Sequence, residues 1–163
     1  MYLRKLDKKD APRMLEWMHD IRVVRHLGAN FAAKTIDDCR NFIAVSQNDA
    51  ENLHLAVADE MDEYMGTVSL KHIDRTQGTA EFAITVRACA MGKGFSHFAM
   101  DSILKMGIQE MKLNSIYWCV SPKNERAVHF YDKHGYTRTA AIPAPILDAY
   151  PKDMELIWYV YTG

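Results

Sequence analysis

Hydrophobic residues along the chain recur with two different spacings. The segment Ala80–Val86 is a short and mostly apolar run, which predicts a buried strand. Beyond it the apolar residues recur at helical spacing, and these are Phe95, Phe98, Ala99, Ile103 and Met106. The pattern therefore predicts a strand, a short loop and a helix, in that order, over residues 80–106.

The same reading of the whole chain predicts the element order β-α-α-β-β-β-α-β-α-β-β. The predicted strands are Tyr2–Leu6, Leu53–Ala58, Tyr64–Ile73, Ala80–Val86, Ser115–Val120, Tyr136–Ile142 and Met154–Tyr161. The first two helices are predicted at Lys8–Asp20 and Thr35–Gln47. Thr35 and Asp38 have the spacing of a capping box. Residues 22–34 show no regular pattern.

A glycine-rich loop, Met91–Ser96, joins the strand to the helix. Gly92 and Gly94 allow the backbone to bend and to approach a ligand closely. The first turn of a helix also presents unpaired N–H groups and the positive end of the helix dipole, so such a junction can bind phosphate. Taken alone, the fragment fits a plain glycine turn equally well. The chain lacks the P-loop and dinucleotide-binding glycine motifs, which argues against a nucleotide ligand.

A second motif begins where the strand Ser115–Val120 ends. Asn124 stands at the N-cap position of a predicted helix, and Gly135 stands where that helix should end. The residues on one face of the helix are Ala127, Phe130, Tyr131 and His134.

Together, the two motifs resemble those of the GNAT superfamily of N-acetyltransferases. The second matches the family pattern Asn-x-x-Ala-x-x-x-Tyr-x-x-x-Gly-Phe/Tyr at Asn124, Ala127, Tyr131, Gly135 and Tyr136. The resemblance implies an α/β (α+β) fold with one mixed, mostly antiparallel, twisted sheet of about seven strands. Helices would cover both faces of this sheet, and its fourth and fifth strands would splay apart. It also implies a single acetyltransferase domain over residues 1–163, and its glycine loop resembles that of the branch that acetylates ribosomal-protein N-termini or amino sugars.

The glycine loop departs from the usual family pattern, Gln/Arg-x-x-Gly-x-Gly/Ala, at both ends. Met91 stands at the first position and Ser96 at the last. Methionine cannot offer charge to a diphosphate, so backbone N–H groups would carry the binding. Lys93 or Arg87 would then supply positive charge.

The resemblance implies acetyl-CoA as the cosubstrate and no metal. The coenzyme would lie along the fourth strand, on the glycine loop and at the start of the second helix motif. The residues predicted to bind it are Ile84, Thr85, Val86, Met91, Gly92, Lys93, Gly94, Phe95, Ser96 and Asn124.

In this family an amine attacks the thioester directly, so one group must remove a proton and another must assist the leaving sulfur. Tyr131 matches the family tyrosine that faces the coenzyme sulfur, and we predict that it is the acid. On the helix pattern alone it would be a core aromatic residue. Glu81, at the start of the fourth strand, is the predicted base, acting through a water. Its alternative interpretation is a structural residue.

Composition narrows the range of partners. A net charge of −1 gives no support to a nucleic-acid partner, and no apolar stretch reaches the ~20 residues that span a membrane. Cys39, Cys89 and Cys119 lack the spacing of a metal or redox pair, and the histidines lack carboxylate or thiol partners at zinc-like spacing. We therefore expect a cytoplasmic protein without a metal site.

The expected acceptor is a primary amine of a small molecule or of a peptide N-terminus. Its pocket would form from residues 22–34 and 140–153. A homodimer is one arrangement compatible with this family. Two other functions stay open, a non-catalytic acyl-CoA-binding module and a nucleotide-phosphate-binding protein.

Overall fold

Seven strands form one sheet in the computed structural model, which describes all 163 residues. The strands are β1 Tyr2–Lys5, β2 Leu53–Ala58, β3 Tyr64–Asp74, β4 Thr79–Val86, β5 Ser115–Val120, β6 Thr137–Arg138 and β7 Ile157–Tyr161. Their order across the sheet is β1-β2-β3-β4-β5-β7-β6. Every neighbouring pair is antiparallel except β4 and β5, which run parallel. The predicted mixed and mostly antiparallel sheet is confirmed.

Six α-helices accompany the sheet. They are α1 Ala11–Met18, α2 Ile21–Val24, α3 Ile36–Ser46, α4 Phe95–Lys105, α5 Glu125–Lys133 and α6 Ala144–Leu147. A π-helical turn, Met106–Glu110, continues α4. The capping box that begins α3 is present, because Thr35 and Asp38 each accept a hydrogen bond from the other's backbone N–H.

The sheet buries a hydrophobic core on each face. On one face, α4 and α5 cover the larger core, in which Phe82 and Trp118 pack edge to face with ring centroids 5.6 Å apart. On the other face, α1 and α3 cover a smaller core, where the Trp17 indole N–H donates to the Tyr64 hydroxyl at 3.0 Å. Helices therefore lie on both faces, as the resemblance implies.

The parallel pair β4–β5 is paired over only three positions. Its rungs are Thr79 with Ser115, Ala80 with Ile116, and Glu81 with Tyr117. β4 continues to Val86 against β3, and β5 continues to Val120 against β7. The two strands therefore diverge after Glu81, and the edge of β4 over residues 82–86 has no strand partner on that side.

Several predicted boundaries were wrong. A 3₁₀ turn over Lys8–Asp10, closed by a capping box with Asp7, precedes α1, so the α-helix begins at Ala11 and not at Lys8. The stretch 22–34 is not wholly irregular, because α2 begins just before it. The predicted strand Tyr136–Ile142 is reduced to Thr137–Arg138. The Thr139 hydroxyl turns the chain out of the sheet by accepting the Ala141 N–H at 3.1 Å.

Candidate active site

A cavity of about 450 Å³ lies where β4 and β5 splay apart. Most of the residues predicted to bind the coenzyme line it, together with the predicted acid. These are Ile84, Thr85, Val86, Met91, Gly92, Gly94, Ser96, Asn124 and Tyr131. The side chains of Lys93 and Phe95 do not line the cavity, because Lys93 faces solvent and Phe95 is buried in the larger core. Sequence patterns thus located one wall of this cavity.

The glycine loop has the backbone shape that a phosphate site requires. Gly92 and Gly94 have φ angles of 74° and 86°, in the left-handed region that favours glycine. Gly94 is the N-cap of α4, and the first bond of that helix runs from Phe98 N to Gly94 O at 3.0 Å. The amides of residues 95–97 precede that bond and have no acceptor within the helix. They are available to an anion.

Asn124 begins the helix on the other side of the cavity. Its Oδ1 accepts a hydrogen bond from the backbone N–H of Ala127 at 3.3 Å, which confirms its predicted N-cap position. The same side chain borders the cavity, so it can also meet a ligand there.

All the charged residues that line the cavity are basic. They are Arg22, Arg25 and Arg126, and the histidines His26 and His97 lie beside them. A ligand with several phosphates would find a complementary surface there, although the whole chain has a net charge of −1.

Sequence reasoning missed this basic wall. Two of its arginines, Arg22 and Arg25, reach the cavity from α2 and the residue that follows it, where no motif marked them. The suggestion that Arg87 would supply charge was wrong. Its guanidinium is buried and pairs with Glu16 at 3.0 Å and Glu63 at 2.9 Å, so it serves the structure and not the cavity.

Tyr131 reaches the cavity from α5 and packs within an aromatic group. Its ring centroid lies 5.5 Å from that of Trp118 and 5.1 Å from that of Tyr159. Burial raises the pKa of the Tyr131 phenol, and the nearby Tyr159 and Cys119 add to that effect. The phenol therefore stays protonated at neutral pH and can donate a hydrogen bond to a group in the cavity.

Glu81 occupies the last paired rung below the splay and is only 1% exposed. The hydroxyl of Tyr150, from the β6–β7 connection, donates to its Oε1. Two further groups approach from β3: Lys71 Nζ lies 3.7 Å from Oε1, and His72 Nε2 lies 3.5 Å from Oε2. Oε2 itself is buried without a hydrogen-bond partner. Glu81 does not line the cavity.

Glu81 and Tyr131 lie on opposite faces of the sheet. Successive residues of a strand point to opposite faces, so Trp118 and Cys119 of β5 do so. Tyr131 packs on Trp118, whereas Glu81 pairs in register with Tyr117, which points to the same face as Cys119. The splay is therefore the opening through which groups on the two faces can meet.

Cys119 is the thiol closest to this arrangement, and its environment does not activate it. Burial raises its pKa to about 11, and the charge of Glu81 acts in the same direction. A thiol is nucleophilic only as the thiolate. Cys119 is therefore unsuited to hold an acyl group during catalysis.

Two further findings concern metal binding and membrane-spanning helices. No group of three or more His, Cys, Asp or Glu side chains is placed so that it could hold a metal ion. None of the helices combines the length and the apolar character needed to cross a bilayer.

Comparison with known proteins gives one family. The family model described as "Acetyltransferase (GNAT) domain" matches residues 1–137. A spermidine N(1)-acetyltransferase of Vibrio cholerae is 25% identical over 137 residues, covering 82% of this chain and 77% of that enzyme. The uncharacterized N-acetyltransferase p20 of Bacillus licheniformis is 27% identical over 131 residues, covering 77% of this chain and 72% of that protein.

Solved structures share the fold. The spermidine N-acetyltransferase of Vibrio cholerae in complex with CoA and spermine superposes with a TM-score of 0.82, at 19% identity, over 99% of this chain and 94% of that one. A dodecameric structure of the spermidine N-acetyltransferase from Vibrio cholerae gives a TM-score of 0.74, at 20% identity, over 99% of this chain and 92% of that one. Where these relatives have a named substrate it is spermidine, and not the ribosomal-protein N-terminus or amino sugar that the loop suggested.

Proposed function

The chain belongs to the GNAT acetyltransferase family, and we propose that it transfers an acetyl group from acetyl-CoA to a primary amine of a small polyamine. One observation carries this proposal. The free edge of β4, the glycine-loop amides and the Tyr131 phenol all face a single cavity at the splay. These are the groups that a thioester carrier with a diphosphate needs.

Backbone groups of the cavity would make the main contacts with the coenzyme. The unpaired β4 edge over residues 82–86 can pair with the amides of the pantetheine arm, as an added strand would. The amides at the start of α4 suit the diphosphate, and the basic wall suits the remaining phosphate. When bound, acetyl-CoA supplies a thioester carbonyl that an amine can attack.

Two side chains would then handle the protons. Glu81 removes the proton of the incoming ammonium through a water at the splay, since it does not line the cavity itself. Tyr131, whose phenol burial keeps protonated, gives its proton to the departing sulfur and regains one from the nitrogen that becomes the amide. A backbone N–H on the free β4 edge can stabilise the oxyanion that forms between these steps. The protonated Cys119 is consistent with direct transfer.

A polyamine is the acceptor that the named substrates of the relatives favour. The relatives with a stated substrate are spermidine acetyltransferases. A peptide N-terminus is the second candidate for this position.

An acceptor screen tests the proposal. Thiol release from acetyl-CoA is measured with spermidine, spermine, ribosomal N-terminal peptides and a nucleotide-linked amino sugar, and each product is identified by mass spectrometry. We expect the highest kcat/KM with a polyamine. A peptide or an amino sugar with the highest value would overturn the polyamine assignment. Tight acetyl-CoA binding without turnover on any amine would favour a non-catalytic module.

A further inference from the structure

His72 has an unusual backbone conformation for its position in a strand. Its φ angle is 50°, in the left-handed region that few residues other than glycine adopt. The pairing of β3 with β4 shifts register between Lys71 and Asp74, so His72 sits in a bulge. The Asn52 side chain holds the bulge by accepting the His72 N–H at 3.1 Å. Strain of this kind persists only where the surroundings impose it, and it often marks a functional position.

The bulge places the His72 ring between a buried carboxylate and solvent. Nε2 lies 3.5 Å from Glu81 Oε2, the oxygen that has no hydrogen-bond partner. The His72 side chain is 41% exposed, whereas that of Glu81 is 2% exposed. A small movement of the ring would close this distance to a hydrogen bond, and catalytic contacts commonly tighten when substrate binds.

The proposed reaction requires a route by which a proton can pass from Glu81 to solvent. An alkylammonium and acetyl-CoA yield an amide, a free thiol and one proton. That proton must leave the buried carboxyl of Glu81 before the next turnover.

The other groups that face Glu81 cannot carry the proton away. Tyr150 already donates to Oε1, and burial raises the pKa of its phenol. Lys71 approaches as an ammonium, which can only donate. Cys119 has a pKa of about 11. Imidazole is the side chain that gains and loses a proton near neutral pH.

We propose that His72 is the proton outlet of Glu81, a positioning and relay residue that does not touch the substrate. Glu81 takes a proton from the ammonium through a water and becomes a carboxylic acid. It passes that proton to the His72 imidazole, which becomes imidazolium and releases it to solvent, so that both groups return to their starting state. This inference rests on the proposed function.

The test removes the imidazole and keeps the backbone. Asparagine tolerates the left-handed conformation, and glycine adopts it freely, so the variants are His72→Asn and His72→Gly. We expect kcat to fall at least about tenfold in both variants, with little change in KM for the amine. Added imidazole should restore activity in proportion to its concentration, because a soluble proton carrier can replace the missing ring. His129→Asn, an exposed change on α5, is the matched control and should behave as the original protein.

Each outcome decides the proposal. An unchanged kcat in the two His72 variants would overturn it. So would a loss of activity that imidazole does not restore in either variant, since that result would indicate a structural role. If the unmodified protein acetylates no amine, the proposed function itself fails, and this result is visible before any variant is made.

Discussion

At the scale of single residues, Tyr131 and Glu81 approach the splay from opposite faces of the sheet. This arrangement separates the proposed acid from the proposed base, so that Tyr131 can act on the departing sulfur while Glu81 receives a proton from the amine. Tyr131 is predictable from sequence because it lies in one helix motif with Asn124. The positions of His72 and Tyr150 near Glu81 cannot be predicted in this way. A bulge in β3 brings His72 there, and the β6–β7 connection, far away in sequence, brings Tyr150.

Tyr131→Phe tests the acid directly. The substitution removes only the hydroxyl and leaves the ring to pack on Trp118 and Tyr159. We expect kcat to fall about 10²-fold or more, which is the usual contribution of a positioned acid, while the Kd for CoA stays within about threefold. Steady-state kinetics and calorimetry give the two values. Tyr136→Phe is the control, since Tyr136 does not line the cavity. Equal turnover of Tyr131→Phe and the original protein would remove the acid role.

Asp62 joins the β2–β3 hairpin to the N-terminal segment through Arg4, Tyr2 and Lys9. The side-chain bonds from Lys9, Tyr2 and Arg4 lower its pKa well below the usual value. A carboxylate with a depressed folded-state pKa stabilises the fold above its unfolded pKa of about 3.9, and this contribution is lost as the pH falls below that value. Asp62→Asn should therefore lower the free energy of unfolding at pH 6 more than at pH 3. Urea titrations at both pH values measure this, and a constant difference would contradict the assignment.

At the scale of elements, the junction of β4 and α4 forms the glycine-loop side of the candidate active site. Its position in the chain could be read from the sequence, since a glycine loop between an apolar strand and an amphipathic helix is a local pattern. The extent of β6 could not, because Thr139 turns the chain out of the sheet through a side-chain bond that propensity does not show.

Gly94→Ala tests whether this junction binds the coenzyme. At a φ of 86° a side chain should cost about 1–2 kcal/mol of stability, and it should also weaken CoA binding by disturbing the amides of α4. Gly135→Ala is a matched control, because Gly135 has a φ of 75°, nothing within 4 Å of an added Cβ, and no place in the cavity. We expect both variants to melt earlier and only Gly94→Ala to lose CoA affinity by calorimetry. Equal affinities would show that the junction does not hold the coenzyme.

At the scale of the whole molecule, the fold follows from the order of elements, whereas the charge of the site does not. The basic wall combines Arg22 and Arg25 from the N-terminal third with Arg126 from the second motif. Only the folded chain brings them together. The homodimer stays a prediction, which light scattering on the purified protein can test.

Ligand binding to the folded state should raise the thermal stability of the whole molecule. At 100 times its Kd a ligand adds about 2.7 kcal/mol, which corresponds to a rise in Tm of about 5–10 °C for a chain of this size. We expect acetyl-CoA to produce such a shift and ATP, which has no pantetheine arm, to produce a smaller one. A larger shift with ATP would favour a nucleotide-phosphate-binding protein.

A crystal structure of the protein with CoA bound would show whether the coenzyme lies at the splay. We expect the diphosphate on the amides that follow Gly94, the pantetheine arm along residues 84–86 of β4, and the sulfur beside the Tyr131 hydroxyl. A coenzyme bound elsewhere, or an arm that does not pair with β4, would contradict this expectation.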